Sequence, residues 1–177
     1  MDSSGWLSYV LVVICIALSA FFSGSETALT SVNKTRLKSM AENGDKKAAK
    51  TLTLAEDYES MISTVLIGNN IVNIASSSIA TLIFVAFLGS ETGALVSTVI
   101  MTIVVLICGE VLPKNYAKLN PDSLALTVSG PISVLIFIFK PLAVLLNVLS
   151  RLMAKVTGSD KQDKPSVTEE ELKYIVE

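Results

Sequence analysis

Three short runs place oxygen-bearing side chains inside apolar surroundings. The first holds Ser19, Ser23, Gly24, Ser25 and Glu26, the second Gly68, Asn69, Asn70 and Asn73, and the third Gly109, Glu110, Pro113 and Lys114. Asn73 stands three positions from Asn70 and four from Asn69, spacings that put each pair on one face of a helix. Together the runs supply hydroxyl, amide and carboxylate oxygens. They also supply backbone carbonyl oxygen freed near Pro113, because proline has no N–H to return to the helix. A ligand set made of oxygen suits a hard divalent cation such as magnesium or calcium. The chain has no histidine, which removes His-dependent triads and histidine-held zinc or haem. No Gly-x-Gly-Asp motif of intramembrane aspartyl proteolysis is present either, so no enzyme is expected.

Each group also has a plainer role. Asparagines bond between membrane helices for about 0.6–2 kcal/mol, and serines allow close helix packing. Glu26, nearer the charged loop, reads as a helix-end salt bridge or cap. Glu110 lies deeper, and a carboxylate inside a membrane marks function by default. Depth sets the group apart: counted at about 1.5 Å per residue from the cytoplasmic charges, Ser23, Asn70 and Glu110 each lie roughly 10–18 Å in.

The elements that must hold these residues are membrane spans. The chain of 177 residues is 51% apolar and only 17% charged, against about 25% charged for soluble domains. Apolar runs cover 6–22 (extending helically to about 28), 61–88 and 92–111, and roughly 20 residues suffice to cross. Residues 1–5 carry Asp2 and no basic residue, unlike the positive flank of a cleaved leader. Cys15 and Cys108 sit within apolar runs and read as small hydrophobes rather than a disulfide. The net charge of −2 gives no sign of nucleic acid as a partner; the partner is the lipid bilayer.

Lys34, Arg36, Lys38, Lys46, Lys47 and Lys50 fall between the first two spans, whereas the next loop has Glu91 and no basic residue. The positive-inside rule then makes the first loop cytoplasmic and the N-terminus external. Asn43-Gly44-Asp45 divides that loop into a helical hairpin. A fourth apolar stretch, 123–149, is interrupted by Gly130-Pro131 and Lys140-Pro141. A full crossing would strand Arg151 and Lys155 outside, so broken helices in a re-entrant or interfacial hairpin are expected. The tail turns polar, and Ser166-Val-Thr-Glu opens like a capping box. The expected protein is all-α and membrane-embedded: three transmembrane helices, a cytoplasmic-side helical hairpin, and a broken re-entrant or interfacial segment. Residues 1–156 form the transmembrane domain and 157–177 an acidic linker or helix with a cytoplasmic C-terminus.

Phe-Phe-Ser-Gly-Ser-Glu-Thr-Ala at 21–28, Leu-Ile-Gly-Asn-Asn-Ile-Val-Asn at 66–73 and Gly-Glu-Val-Leu-Pro-Lys at 109–114 resemble the transmembrane domain of the CNNM/CorC magnesium transporter family. The resemblance covers about residues 5–155, with the three motifs in order and no departure within them. It implies a homodimer in the inner or plasma membrane, followed in longer members by a cytosolic CBS-pair domain that binds ATP and magnesium. It further implies magnesium export by alternating access, with magnesium as the transported ion and sodium as a candidate coupling ion. The ligands implied are the Ser23 hydroxyl or carbonyl, the Asn70 and Asn73 side-chain oxygens, the Gly109 carbonyl and the Glu110 carboxylate. Ser19, Ser25 and Asn69 are second choices. Pro113 would hold a helix break that exposes Gly109. The alternative is a magnesium-binding membrane sensor that regulates another transporter; a sodium or calcium carrier and a structural anchor are further rivals.

Overall fold

The computed structural model describes residues 5–157, as helices joined by short turns. They are α1 (Gly5–Ser31), α2 (Lys34–Glu42), α3 (Lys46–Glu56), α4 (Tyr58–Leu88), α5 (Ser90–Val104), a π-helical segment (Val105–Val111), α6 (Leu112–Leu119) and α7 (Pro121–Thr157). α5, the π segment and α6 continue one another, so Ser90–Leu119 is a single rod of 30 residues. Among the described residues four rods are, by length and composition, able to cross a membrane: Trp6–Ser31, Tyr58–Leu88, Ser90–Leu119 and Pro121–Leu142. The first three contain the expected spans.

Local chemistry sets the boundaries of the helices between the first two rods. The Asn33 side chain accepts the Arg36 N–H at 3.0 Å, capping α2. Asp45 accepts the N–H groups of Lys47 and Ala48 at 2.8 and 3.1 Å, capping α3. Both are side-chain oxygens filling orphan donors of a first helical turn. Between them Gly44 has φ 92°, a left-handed conformation that glycine adopts at little cost. The expected hairpin with its Asn-Gly-Asp turn is therefore present.

The bundle up to Lys140 forms one compact unit. α1 is its central rod, packed on α4, α6 and the π segment. The apolar core gathers at the hairpin end, where Leu37 of α2 and Leu54 of α3 join Leu29, Met61, Ala125 and Val128 in one cluster. Toward the other end, apolar side chains turn outward: Val13, Leu82, Phe87 and Leu95 are all exposed. Lipid solvates such surfaces, so helix contacts within the span depend on close packing of small residues. Accordingly Ser19, Ser23, Ser76 and Ser97 are completely buried.

The fourth apolar stretch differs from its expectation. Backbone conformation is helical through Pro121–Thr157, with no break at Gly130-Pro131 or Lys140-Pro141. One proline costs a helix one N–H, and its neighbours can absorb that loss. Hydroxyls around Pro131 bond back to carbonyls of the preceding turns, Thr127 to Ser123 O, Ser129 to Leu126 O and Ser133 to Ser129 O, although none reaches Thr127 O, the carbonyl that Pro131 leaves without a donor. Pro121 stands at the first helical position, where its missing N–H is harmless. The second unit, from Pro141, is helical as far as Thr157. The acidic segment from Ser166 lies outside the described residues.

Candidate functional site

α1 and α4 run antiparallel. Near one end Tyr9, Val12 and Val13 face Ile83, Phe84 and Phe87, while farther along Phe22 lies directly over Gly68. Between these contacts the Ser19 hydroxyl donates to the Asn69 side-chain oxygen at 2.9 Å. The third rod reaches the same point through Gly109. A Cβ at 109 would stand 2.6 Å from Ser19 Oγ, so only a glycine lets the π segment lie against that hydroxyl. Ser19, Asn69 and Gly109 thus form a junction of three rods.

Among the described residues three buried side-chain oxygens have no hydrogen-bond partner: Ser23 Oγ, Ser25 Oγ and Asn73 Oδ1. Buried polar atoms are nearly always paired, so three in one bundle need a reason. Ser23 is one turn along α1 from Ser19, and Asn73 is one turn along α4 from Asn69. Because the helices are antiparallel, Ser23 and Asn73 diverge from the junction in opposite directions, about 6 Å each along the axes. Ser23, Ser19, Asn69 and Asn73 therefore mark a polar seam about 12 Å long on α1 and α4, whereas Ser25, two residues from Ser23, lies on the other side of α1. The Asn73 carbonyl also accepts the Ser76 hydroxyl at 3.0 Å.

The seam is flanked by the π segment. There the Leu112 N–H reaches back five residues to Ile107 O, the wider spacing that recurs at functional sites. Pro113 has no N–H for the carbonyl four residues back, Gly109, or five back, Cys108. The helix is widened here instead of broken. Glu110 is half-buried within this segment, and Asn70 is exposed on α4. No group of three or more Cys, Asp or Glu gathers among the described residues, so a cation here would meet mostly neutral oxygen. Burial, the unpaired atoms and the junction bring in Ser19, Ser23, Ser25, Asn69, Asn73 and Gly109; Asn70 forms no bond to them.

Beyond Ser23 along α1 stands an ion pair. Lys114 Nζ lies 3.2 Å from Glu26 Oε2, with both side chains part-exposed. Glu26 is therefore a salt-bridge residue, as its position suggested. Gly24 stands beside Pro113, but a Cβ there would make ordinary contacts at 3.7 Å, so space does not require that glycine. Two features carried no sequence signal: the π segment, whose Val-Leu-Ile-Cys-Gly-Glu-Val reads as plain helix, and the tie between hairpin and fourth rod. In that tie Asp122 accepts the Asn33 N–H at 3.1 Å and pairs with Arg36 at 2.9 Å.

Known proteins share this sequence pattern. The model of the cyclin M transmembrane N-terminal domain matches residues 10–177. The UPF0053 inner membrane protein YfjD of Escherichia coli K12 is 38% identical over 161 residues, covering 90% of this chain and 37% of that protein. A UPF0053 protein of Haemophilus influenzae is 37% identical over 169 residues, covering 95% of this chain and 40% of its own length. A polyamine export protein of the same organism is 26% identical over 181 residues, covering 95% and 42%. The chain thus spans about two fifths of the curated relatives it matches. With apolar rods long enough to cross and all three motifs in place, the chain belongs to the family of cyclin M transmembrane N-terminal domains and is a multi-pass membrane protein.

Proposed function

We propose that this domain moves magnesium ions across the membrane by alternating access along the seam between α1, α4 and the π segment. The observation that supports this most is the set of unpartnered buried oxygens on Ser23, Ser25 and Asn73. Each unmade bond costs roughly 1–3 kcal/mol, a cost that a passing cation offsets. Magnesium loses water reluctantly and needs several well-placed oxygens. Ser23 and Asn73, about 12 Å apart along the axes, would serve as successive neutral ligands rather than hold one ion together, with Asn70 and the Gly109 carbonyl at the level between them and Ser19, Ser25 and Asn69 as further oxygens. Glu110 would supply the charge. One carboxylate against a divalent ion leaves the site formally positive, which favours return with a coupled ion such as sodium. The lysine-rich hairpin faces the cytoplasm under the positive-inside rule, with the N-terminus outside. A homodimer and a following CBS-pair domain complete the proposed protein.

The test is magnesium flux into liposomes carrying the full-length protein, with Glu110→Ala and Asn73→Ala variants alongside. Flux lost in both folded variants supports the reading. Flux intact in Glu110→Ala would falsify the site. Magnesium-dependent stabilisation without flux indicates the sensor, the rival function. The relative named as a polyamine exporter makes organic polycations the rival cargo. Spermidine flux that magnesium fails to inhibit would then displace the magnesium reading.

A further inference from the structure

A second polar feature lies away from the seam, between α3 and the start of α7. Lys46, Lys47 and Lys50 project from the first turns of α3 and line one side of a cavity of about 650 Å³. Lys50 is four residues from Lys46 and three from Lys47, so the three share a face. The opposite wall is α7, with Ser123, Thr127 and Gly130. Among the described residues no acidic one lines the cavity.

Two acids adjacent in sequence to the lining residues make bonds elsewhere. Asp45 is spent on the N–H groups that open α3. Asp122, adjacent to Ser123, is held by Arg36 and the Asn33 N–H of α2. Among the described residues none of the three lysines forms an ion pair. The result is a cavity with three ammonium groups that have no ion-pair partner among the described residues, against one wall that starts with hydroxyls.

That wall changes character along its length. Ser123, Thr127, Gly130, Val134 and Phe137 recur at alternating intervals of four and three, which makes them one stripe of α7. A Cβ at Gly130 would meet nothing within 4 Å, so the helix has an open shelf there. Beyond it Val134 and Phe137 are 58% and 79% exposed. From Ser123 to Phe137 the stripe covers roughly 21 Å at 1.5 Å per residue. It is polar beside the lysines and apolar beyond, the same order as the headgroup and acyl chain of a phospholipid.

We propose that this cavity binds an anionic phospholipid. Its phosphate sits among Lys46, Lys47, Lys50 and the Ser123 hydroxyl, and an acyl chain lies over Gly130 along Val134 and Phe137. Basic pockets at the membrane surface are recognised sites for acidic headgroups. The apolar continuation distinguishes this occupant from a free phosphate or an acidic peptide, neither of which would use Val134 and Phe137. A bound lipid would join the hairpin to the fourth rod at a point separate from the Arg36–Asp122 pair.

Native mass spectrometry of the full-length protein in detergent tests this, with phosphatidylglycerol and phosphatidylcholine titrated separately. The parent is expected to retain phosphatidylglycerol at least tenfold more strongly than phosphatidylcholine. Lys46, Lys47 and Lys50 changed together to Gln should remove that preference, and the same three changed to Arg should keep it. Gly130→Trp, which fills the shelf but leaves the charges, should weaken retention as well. Equal retention of both lipids, or a preference unaltered by the Gln changes, overturns the proposal. So does displacement of the lipid by millimolar inorganic phosphate, which marks a free-anion site. Retention that appears only when Glu169, Glu170 and Glu171 are changed to Gln would assign the cavity to the acidic tail instead.

Discussion

Ser23 is the residue at which packing and transport make opposite demands. Its hydroxyl is fully buried and bonds to nothing, whereas Ser19, one turn away, spends its hydroxyl on Asn69. A purely structural serine would lose stability on truncation, because its bond would be lost. An unpaired hydroxyl carries its desolvation cost already, on the order of 1–3 kcal/mol. Ser23→Ala is therefore expected to keep or raise thermal stability without magnesium while lowering magnesium flux and magnesium-dependent stabilisation. A clear drop in stability of the ion-free protein would show that the hydroxyl has a structural bond, and would remove Ser23 from the seam. The sequence makes residue types and approximate depth legible at this scale, since apolar runs stand out and charges mark their ends. It does not make the junction legible. Counting from the charges fixes a level only to within a turn, and one turn separates Ser19 from Ser23 and Asn69 from Asn73. Antiparallel packing then carries those second-turn residues in opposite directions.

Among the elements, the π segment decides how the third rod meets the other two. Nothing in residues 105–111 distinguishes it from an ordinary helix; its only hint is Pro113, two residues beyond. The same residue type misleads at 131 and 141, where α7 continues and a break is expected from sequence. A proline withdraws one N–H in every case. The surroundings differ: α7 continues as helix through both of its prolines, whereas in the third rod Gly109 is pressed against Ser19 and the helix widens. Pro113→Ala returns an N–H to the Gly109 carbonyl and relieves a ring that costs a helix interior about 3 kcal/mol. The variant is expected to relax toward α-helical spacing, to melt at equal or higher temperature, and to lose magnesium flux because Glu110 and the Gly109 carbonyl change register. Retained flux with raised stability would mean that the proline only shapes the helix, and that the freed carbonyl takes no part in moving the ion.

Over the molecule as a whole, charge is distributed unevenly in a way that bears on how a cation reaches the seam. The hairpin carries six of the basic residues on the side proposed to be cytoplasmic, with Glu42, Asp45, Glu56, Asp57 and Glu59 close by in sequence, so local charges rather than a net field act on an approaching divalent cation. At the end of the seam, Glu26 and Lys114 stand 3.2 Å apart, next to the Gly24–Pro113 contact that joins α1 to α6. Part-exposed pairs contribute little to stability, about 0–1 kcal/mol, so their value lies in the field they set. Glu26 neutralises an ammonium that would otherwise stand alone beside the path. Glu26→Gln leaves that charge uncompensated. It should raise the magnesium concentration for half-maximal flux several-fold, with little change in maximal rate or melting temperature, because the seam itself is intact. Lys114→Gln in the same chain should restore the parent value. The effect should fade as ionic strength rises, since a Debye length of about 8 Å at 0.15 M shortens to about 3 Å at 1 M. A Glu26→Gln defect confined to the maximal rate and insensitive to salt would instead make Glu26 a ligand or proton carrier, and would extend the seam by a second carboxylate.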